Sequence, residues 1–154
     1  NIKHLSRCRY RCAYVINLMV SQYIWLWQYH FSKFILIMNK TIFCDIDGTL
    51  LKHHGGLYPI TQEKPELLPN AIEAIVSWKN KDYKIILTTG RPESMRKLTI
   101  DQLNTTGIFY DMLIMGLPRG ERIVINDCKP DRTSTAKAIN VPRNSGFTAE
   151  HFIL

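Results

Sequence analysis

The 154-residue sequence predicts an α/β fold, a parallel sheet with helices on both faces. Three observations predict it. Short apolar runs at Lys40–Cys44, Lys84–Thr88, Asp111–Met115 and Arg122–Asn126 read as buried strands. Helix-patterned stretches fall between them, as crossovers joining parallel strands require. Polar, chemistry-bearing residues close the runs at Asp45, Thr89 and Asp127, and ligands of open parallel sheets gather at such carboxyl ends.

The first strand runs into Asp45-Ile46-Asp47-Gly48-Thr49. Strand side chains alternate with period two, so Asp45 and Asp47 leave on one face, and Gly48 lets the backbone turn sharply. Two carboxylates at a buried strand end are costly unless a cation or a reaction uses them. Residues 51–69, rich in Gly and Pro, read as a surface loop or short hairpin, with His53-His54-Gly55-Gly56 as a substrate-facing flap. Asn70 is placed to N-cap a helix carrying Ala71, Ile72, Ala74, Ile75 and Trp78 at helical spacing. After the second strand, Pro92 sits in the first turn of a helix reaching about Leu103. The two later strands follow, then a short helix over Thr133–Ile139 and an irregular tail.

The formal charge of +7 at first suggests a nucleic-acid partner. Residues 1–37, however, hold Lys3, Arg7, Arg9, Arg11 and Lys33 with no Asp or Glu, leaving the remainder with 15 basic against 13 acidic residues. This leader also lacks Gly and Pro and contains eight of the 16 aromatic residues. The expected division is therefore a leader at 1–37 and one catalytic domain at 38–154. Three readings of the leader are open. The first is upstream sequence read in frame before Met38, the second a membrane anchor and the third an amphipathic partner helix. Polar residues such as Asn17, Gln22 and Gln28 interrupt its apolar stretch, which argues against a membrane span. Cys8, Cys12, Cys44 and Cys128 form no disulfide framework, which points to a reducing, cytoplasmic compartment.

The chemistry follows from the strand ends. A carboxylate such as Asp45 can attack phosphorus and form an aspartyl-phosphate, and Asp47 can protonate the leaving oxygen and then activate water. The hydroxyl of Thr89 and the backbone of Gly90-Arg91, opening a helix, suit a phosphate. Asp45, Asp127, the Asp47 carbonyl and, as a further candidate, Asp131 offer hard oxygen ligands for Mg²⁺.

Asp45-Ile46-Asp47-Gly48-Thr49-Leu50, Ile85-Ile86-Leu87-Thr88-Thr89-Gly90-Arg91 and Ile123-Val124-Ile125-Asn126-Asp127 together resemble the haloacid dehalogenase-like phosphatase superfamily. The resemblance implies a Rossmann-like fold, with Asp45 as nucleophile, Asp47 as general acid/base, Thr89 as the phosphate-binding hydroxyl and Asp127 as a metal ligand. Two departures stand out. Leu117 occupies the place of a usual Lys, for which Arg119 is the leading substitute and Arg122 or Lys129 weaker ones. Asn126 stands where an acid often precedes the last Asp.

Asp45 to Thr89 spans 44 positions and Thr89 to Asp127 spans 38, too few for a large cap. The expected activity is Mg²⁺-dependent hydrolysis of a phosphomonoester in an open site, the substrate a sugar or metabolite phosphate. The open site also allows a second subunit to serve as lid in a homo-oligomer. The run from Thr89 through Arg96, Thr99, Leu103 and Asp111 to Met115 is similar to the phosphatase part of phage-type polynucleotide kinase-phosphatases, which makes a nucleic-acid 3′-phosphate the alternative substrate. A non-catalytic phosphate-binding module is the contrasting class.

Overall fold

The computed structural model describes residues 39–154, and the leader lies outside them. Three strands, β1 (Thr41–Asp45), β2 (Lys84–Thr88) and β3 (Met112–Ile114), form a sheet in the order β1-β2-β3. Both pairings are parallel: Thr41 lies opposite Lys84 and Asp45 opposite Thr88, while Ile86 pairs with Met112 and Thr88 with Ile114. The register aligns the carboxyl ends of all three strands, so Asp45, Thr88 and Ile114 mark one edge. Helices α1 (Leu57–Gln62), α2 (Ala71–Lys79) and α3 (Arg96–Thr106) lie in the crossovers. This is the predicted parallel α/β class.

Period two divides the sheet into rows. Ile42, Cys44, Ile85, Leu87 and Leu113 belong to the main core with Ala74, Ile75, Trp78 and Leu103 of the helices. The other row buries Ile86 but leaves Phe43 61% and Met112 48% exposed. In α2 the buried residues Ala71, Ala74, Ile75 and Trp78 recur at i, i+3, i+4 and i+7, the stripe that commits a sequence to an amphipathic helix. Asn70 stands at the N-cap position but does not cap. It takes a left-handed conformation (φ 59°), and its Nδ2 donates instead to the Phe147 carbonyl at 2.7 Å. Helix α3 is preceded by a 3₁₀ turn at Glu93–Met95, so Pro92 precedes that turn instead of opening the helix. It ends at Gly107, which adopts φ 74° while Ile108 N–H reaches back to the Leu103 carbonyl.

The connection from Leu51 to Pro69 is a short hairpin closed by α1. Leu51 bridges Leu67, Lys52 N–H donates to the Glu66 carbonyl at 2.9 Å and Leu68 N–H to the Leu50 carbonyl at 2.9 Å. No separate cap is folded there. The final residues are tied down. Trp78 Nε1 donates to the His151 carbonyl, Tyr83 hydroxyl to the Leu154 carbonyl, and Phe147 meets the Trp78 ring edge-on at 5.5 Å between centroids. Gly146 permits this approach: with φ 71°, a Cβ there would lie 2.3 Å from the Pro69 carbonyl oxygen.

Two expected elements are absent. Arg122–Asn126 is not a strand: Ile123, Val124 and Ile125 are 77%, 68% and 94% exposed and pair with nothing in the sheet. Thr133–Ile139 is not a helix but irregular, exposed chain with one isolated bridge between Cys128 and Ser134. Strand propensity in Ile-Val-Ile becomes a strand only where an edge accepts its backbone, and helix pattern becomes a helix only where a face is buried. Neither condition holds here. No helix among the described residues is long and apolar enough to cross a membrane.

Candidate active site

β1 delivers Asp45 to the sheet edge and the turn that follows delivers Asp47. The Ile46 carbonyl accepts bonds from Leu50 and Leu51 N–H at 2.9 Å each, and Gly48 N–H donates to Leu51 O at 2.6 Å. Gly48 sits at φ 91°, and a Cβ there would also press within 2.9 Å of Arg143 Cγ. This tight loop thus needs glycine twice over, for its backbone and for the side chain lying across it.

Asp47 is held by a fork. Arg91 Nε donates to its Oδ2 at 2.9 Å and Nη2 to its Oδ1 at 2.7 Å. The pair is enclosed, Arg91 being 3% exposed. A third donor, Thr89 Oγ1, reaches Asp47 Oδ2 at 3.3 Å. The remaining Arg91 nitrogen, Nη1, donates to Gln102 Oε1 at 2.7 Å and Thr99 Oγ1 at 3.3 Å. A buried guanidinium is tolerated only when its charge and N–H groups are met, and here both are.

Asp45 has a different environment. Burial raises its pKa above the ordinary carboxylate value, and the neighbouring Asp47 charge raises it further. Arg122, a backbone bond at Ile46, and His53 act in the opposite direction. Cys44, behind it, is buried, and its thiol is pushed up to about 12, first by burial and then by Asp45.

Thr89 is buried at the end of β2, its N–H bonded to the Ile114 carbonyl at 3.0 Å and its hydroxyl accepting from Arg91 N–H at 3.1 Å. Gly90 lies against the Leu117 carbonyl, 3.3 Å from where a Cβ would stand. Thus Asp45, Asp47, Thr89, Gly90 and Arg91 belong to adjoining strand ends, but Arg91 faces Asp47 instead of presenting a free fork to a phosphate. Arg119 is exposed. Arg122 donates to the Pro118 and Gly120 carbonyls at 3.0 Å, and its charge acts on Asp45.

Asp127 and Asp131 lie in the exposed segment, Asp131 accepting from Thr133 N–H at 3.0 Å. Among the described residues no three His, Cys, Asp or Glu side chains are grouped to hold a metal, so Asp127 is not gathered with Asp45 and Asp47. Without the expected strand at Arg122–Asn126, no element carries it to the edge.

Sequence reasoning missed three contributors. Thr99 and Gln102 sit on the buried face of α3, and the signal was two polar residues where the helix pattern wants apolar ones. Asn144 reaches the site loop: its N–H donates to the Gly48 carbonyl at 2.8 Å. The turn-forming run Pro142-Arg143-Asn144-Ser145-Gly146 was its only local sign.

A family model described as haloacid dehalogenase-like hydrolase matches residues 42–117, which contain all of the sheet but Thr41 and the strand-end motifs at Asp45–Leu50 and Ile85–Arg91. The chain belongs to the haloacid dehalogenase-like hydrolases. An uncharacterized protein of Methanocaldococcus jannaschii is 33% identical to this hydrolase family member over 96 residues, covering 62% of this chain and 84% of that one. Among solved structures, a chain of the Pnkp1/Rnl/Hen1 complex is 29% identical with a TM-score of 0.45, and one of the Pnkp1/Rnl/Hen1 RNA repair complex is 31% identical with a TM-score of 0.46. Each covers 55% of this chain, which spans only 30% and 28% of their respective lengths. A crystal structure from Vibrio cholerae is 17% identical with a TM-score of 0.43, covering 74% of this chain and 94% of that one. The matched region ends at Leu117, before Arg122 and Asp127.

Proposed function

We propose that this haloacid dehalogenase-like hydrolase is a phosphomonoesterase in which Asp45 is the nucleophile and Asp47 the acid/base. The observation that carries the reading is the unequal treatment of two carboxylates two residues apart. Asp45 stands at the sheet edge without a side-chain clamp, while Asp47 is held in place by Arg91 and Thr89. An unclamped carboxylate is free to turn toward phosphorus, and a held one is kept oriented for proton transfer.

In the first half-reaction an Asp45 oxygen bonds to phosphorus and the bond to the leaving oxygen breaks. Its electron pair stays on that oxygen, which takes a proton from Asp47. In the second, water attacks phosphorus and gives a proton to Asp47, releasing inorganic phosphate and the Asp45 carboxylate. Thr89, beside Asp47, and the Gly90 backbone are the proposed phosphate contacts, with Arg119 as the basic candidate.

Mg²⁺ fits part of this donor set. Asp45 is a hard oxygen ligand whose burial beside a second carboxylate favours a cation, and Mg²⁺ commonly binds through one or two carboxylates while keeping several waters. The Asp45 carboxylate and Asp47 carbonyl would hold it. Bound there, the ion would neutralise charge on the phosphoryl oxygens.

A sugar or small metabolite phosphate suits the nearly balanced charge of residues 38–154, and an open site also admits a nucleic-acid 3′-phosphate end. The deciding experiment is a phosphatase panel of sugar phosphates, nucleotides and 3′-phosphorylated oligonucleotides, with and without Mg²⁺. Asp45→Asn is expected to lose all turnover while keeping the fold. Absence of Mg²⁺-dependent hydrolysis across the panel would overturn the enzyme reading in favour of a phosphate-binding module.

A further inference from the structure

We propose that Gln102 is a positioning residue that couples the hairpin helix α1 to the acid/base carboxylate, so that the seating of α1 sets how firmly Arg91 holds Asp47. The proposal rests on the reading of Asp47 as acid/base. Its structural basis is a continuous chain of bonds. Gln102 Nε2 donates to the Ile60 carbonyl at 2.9 Å, and Gln102 Oε1 accepts from Arg91 Nη1 at 2.7 Å. Arg91 then forks onto Asp47 at 2.7 and 2.9 Å.

The direction of this chain is fixed by chemistry. A guanidinium only donates, so the amide oxygen must face Arg91, and the amide nitrogen must then face the carbonyl. Ile60 is the buried residue of α1, and its carbonyl is among those a helix ending at Gln62 leaves without a partner of its own. Gln102, itself buried, supplies the missing donor. Ile60, His54, Glu63, Arg91 and Gln102 border a common cavity of about 10 Å³, one water molecule in size, so the hairpin lies directly on the clamp. If α1 lifts, Gln102 loses its anchor and Arg91 Nη1 keeps only the longer contact to Thr99.

The test uses the full chain with Gln102→Met, which removes both bonds. Gln102→Glu is its companion, keeping an acceptor for Arg91 but losing the donor to Ile60. Amide hydrogen exchange over residues 57–62 is expected to quicken in both variants and also in Asp47→Asn, because coupling is reciprocal. With Mg²⁺, Gln102→Met is expected to lower kcat about ten- to hundredfold with KM unchanged, the usual cost of removing a supporting partner. The loss should be larger for an alkyl phosphate, whose leaving oxygen needs a proton, than for p-nitrophenyl phosphate, whose leaving group does not.

Unchanged exchange over 57–62 in both Gln102 variants would overturn the coupling. So would loosened exchange with kcat intact for both substrates, or equal losses on the two leaving groups. If the unmodified protein turns over no phosphomonoester, the phosphatase reading fails on its own. Exchange then decides the coupling alone, and normal exchange in Asp47→Asn overturns it.

Discussion

The Asn144 side chain grips the backbone of His53 from both sides: its Oδ1 accepts the His53 N–H at 2.8 Å, and its Nδ2 donates to the His53 carbonyl at 3.4 Å. A residue 91 positions away thereby pins the start of the hairpin beside the site loop. Asn144→Ala removes both bonds and leaves an exposed backbone free to find water. It is expected to cost about 1 kcal/mol, read as a lower urea midpoint with an unchanged m-value.

Asp45→Asn is expected to raise the thermal midpoint at neutral pH. Folding raises the Asp45 pKa, chiefly through burial and then through Asp47. A raised carboxylate favours the fold fully below its unfolded value of about 3.9 and loses that contribution as pH rises through the folded value. The variant's advantage should therefore be present at pH 7 and vanish toward pH 3, as followed by calorimetry across that range.

Asp111 should show the opposite sign. Its Oδ2 accepts the Ile85 N–H at 2.7 Å, supplying the sheet bond that β3 begins too late to make, and Lys79 binds both oxygens. These contacts, the backbone bond first, hold its pKa below the ordinary value. Its contribution is present above about pH 3.9 and is lost as pH falls through the depressed value. Asp111→Ala is expected to cost about 1 kcal/mol at pH 7, limited because the pair is partly exposed, and the gap to the parent should close in acid.

The two thiols of the described residues should differ in reactivity. Cys44 is buried with its thiol raised to about 12, whereas Cys128 is exposed. The thiolate is the nucleophile, so iodoacetamide at pH 8 is expected to label Cys128 within minutes and leave Cys44 unmodified until denaturant is added, as peptide mass spectrometry would show.

Much of this architecture was legible because its signals are local. Ala71, Ala74, Ile75 and Trp78 announce α2 by spacing alone, and Thr41–Cys44 announces β1 by the carboxylates that end it. What was not legible is what depends on distant partners. Ile123-Val124-Ile125 has the composition of a strand but no edge pairs with it. Arg91 beside Thr89 and Gly90 suits a phosphate, yet its guanidinium is occupied by Asp47, 44 positions earlier in the chain. Asn70 has the right residue type for a cap, but Phe147 competes for its amide.

Trp78 gives the fold an optical reporter. Its indole is enclosed by Phe147 and donates to the His151 carbonyl, and the chain's other two tryptophans, Trp25 and Trp27, lie in the leader. In a Trp25→Phe, Trp27→Phe background, emission would come from this one ring alone. Release of the final residues from α2 would wet the indole and shift its emission to the red, so detachment of the tail and melting of the sheet would separate in a single titration wherever they are distinct events.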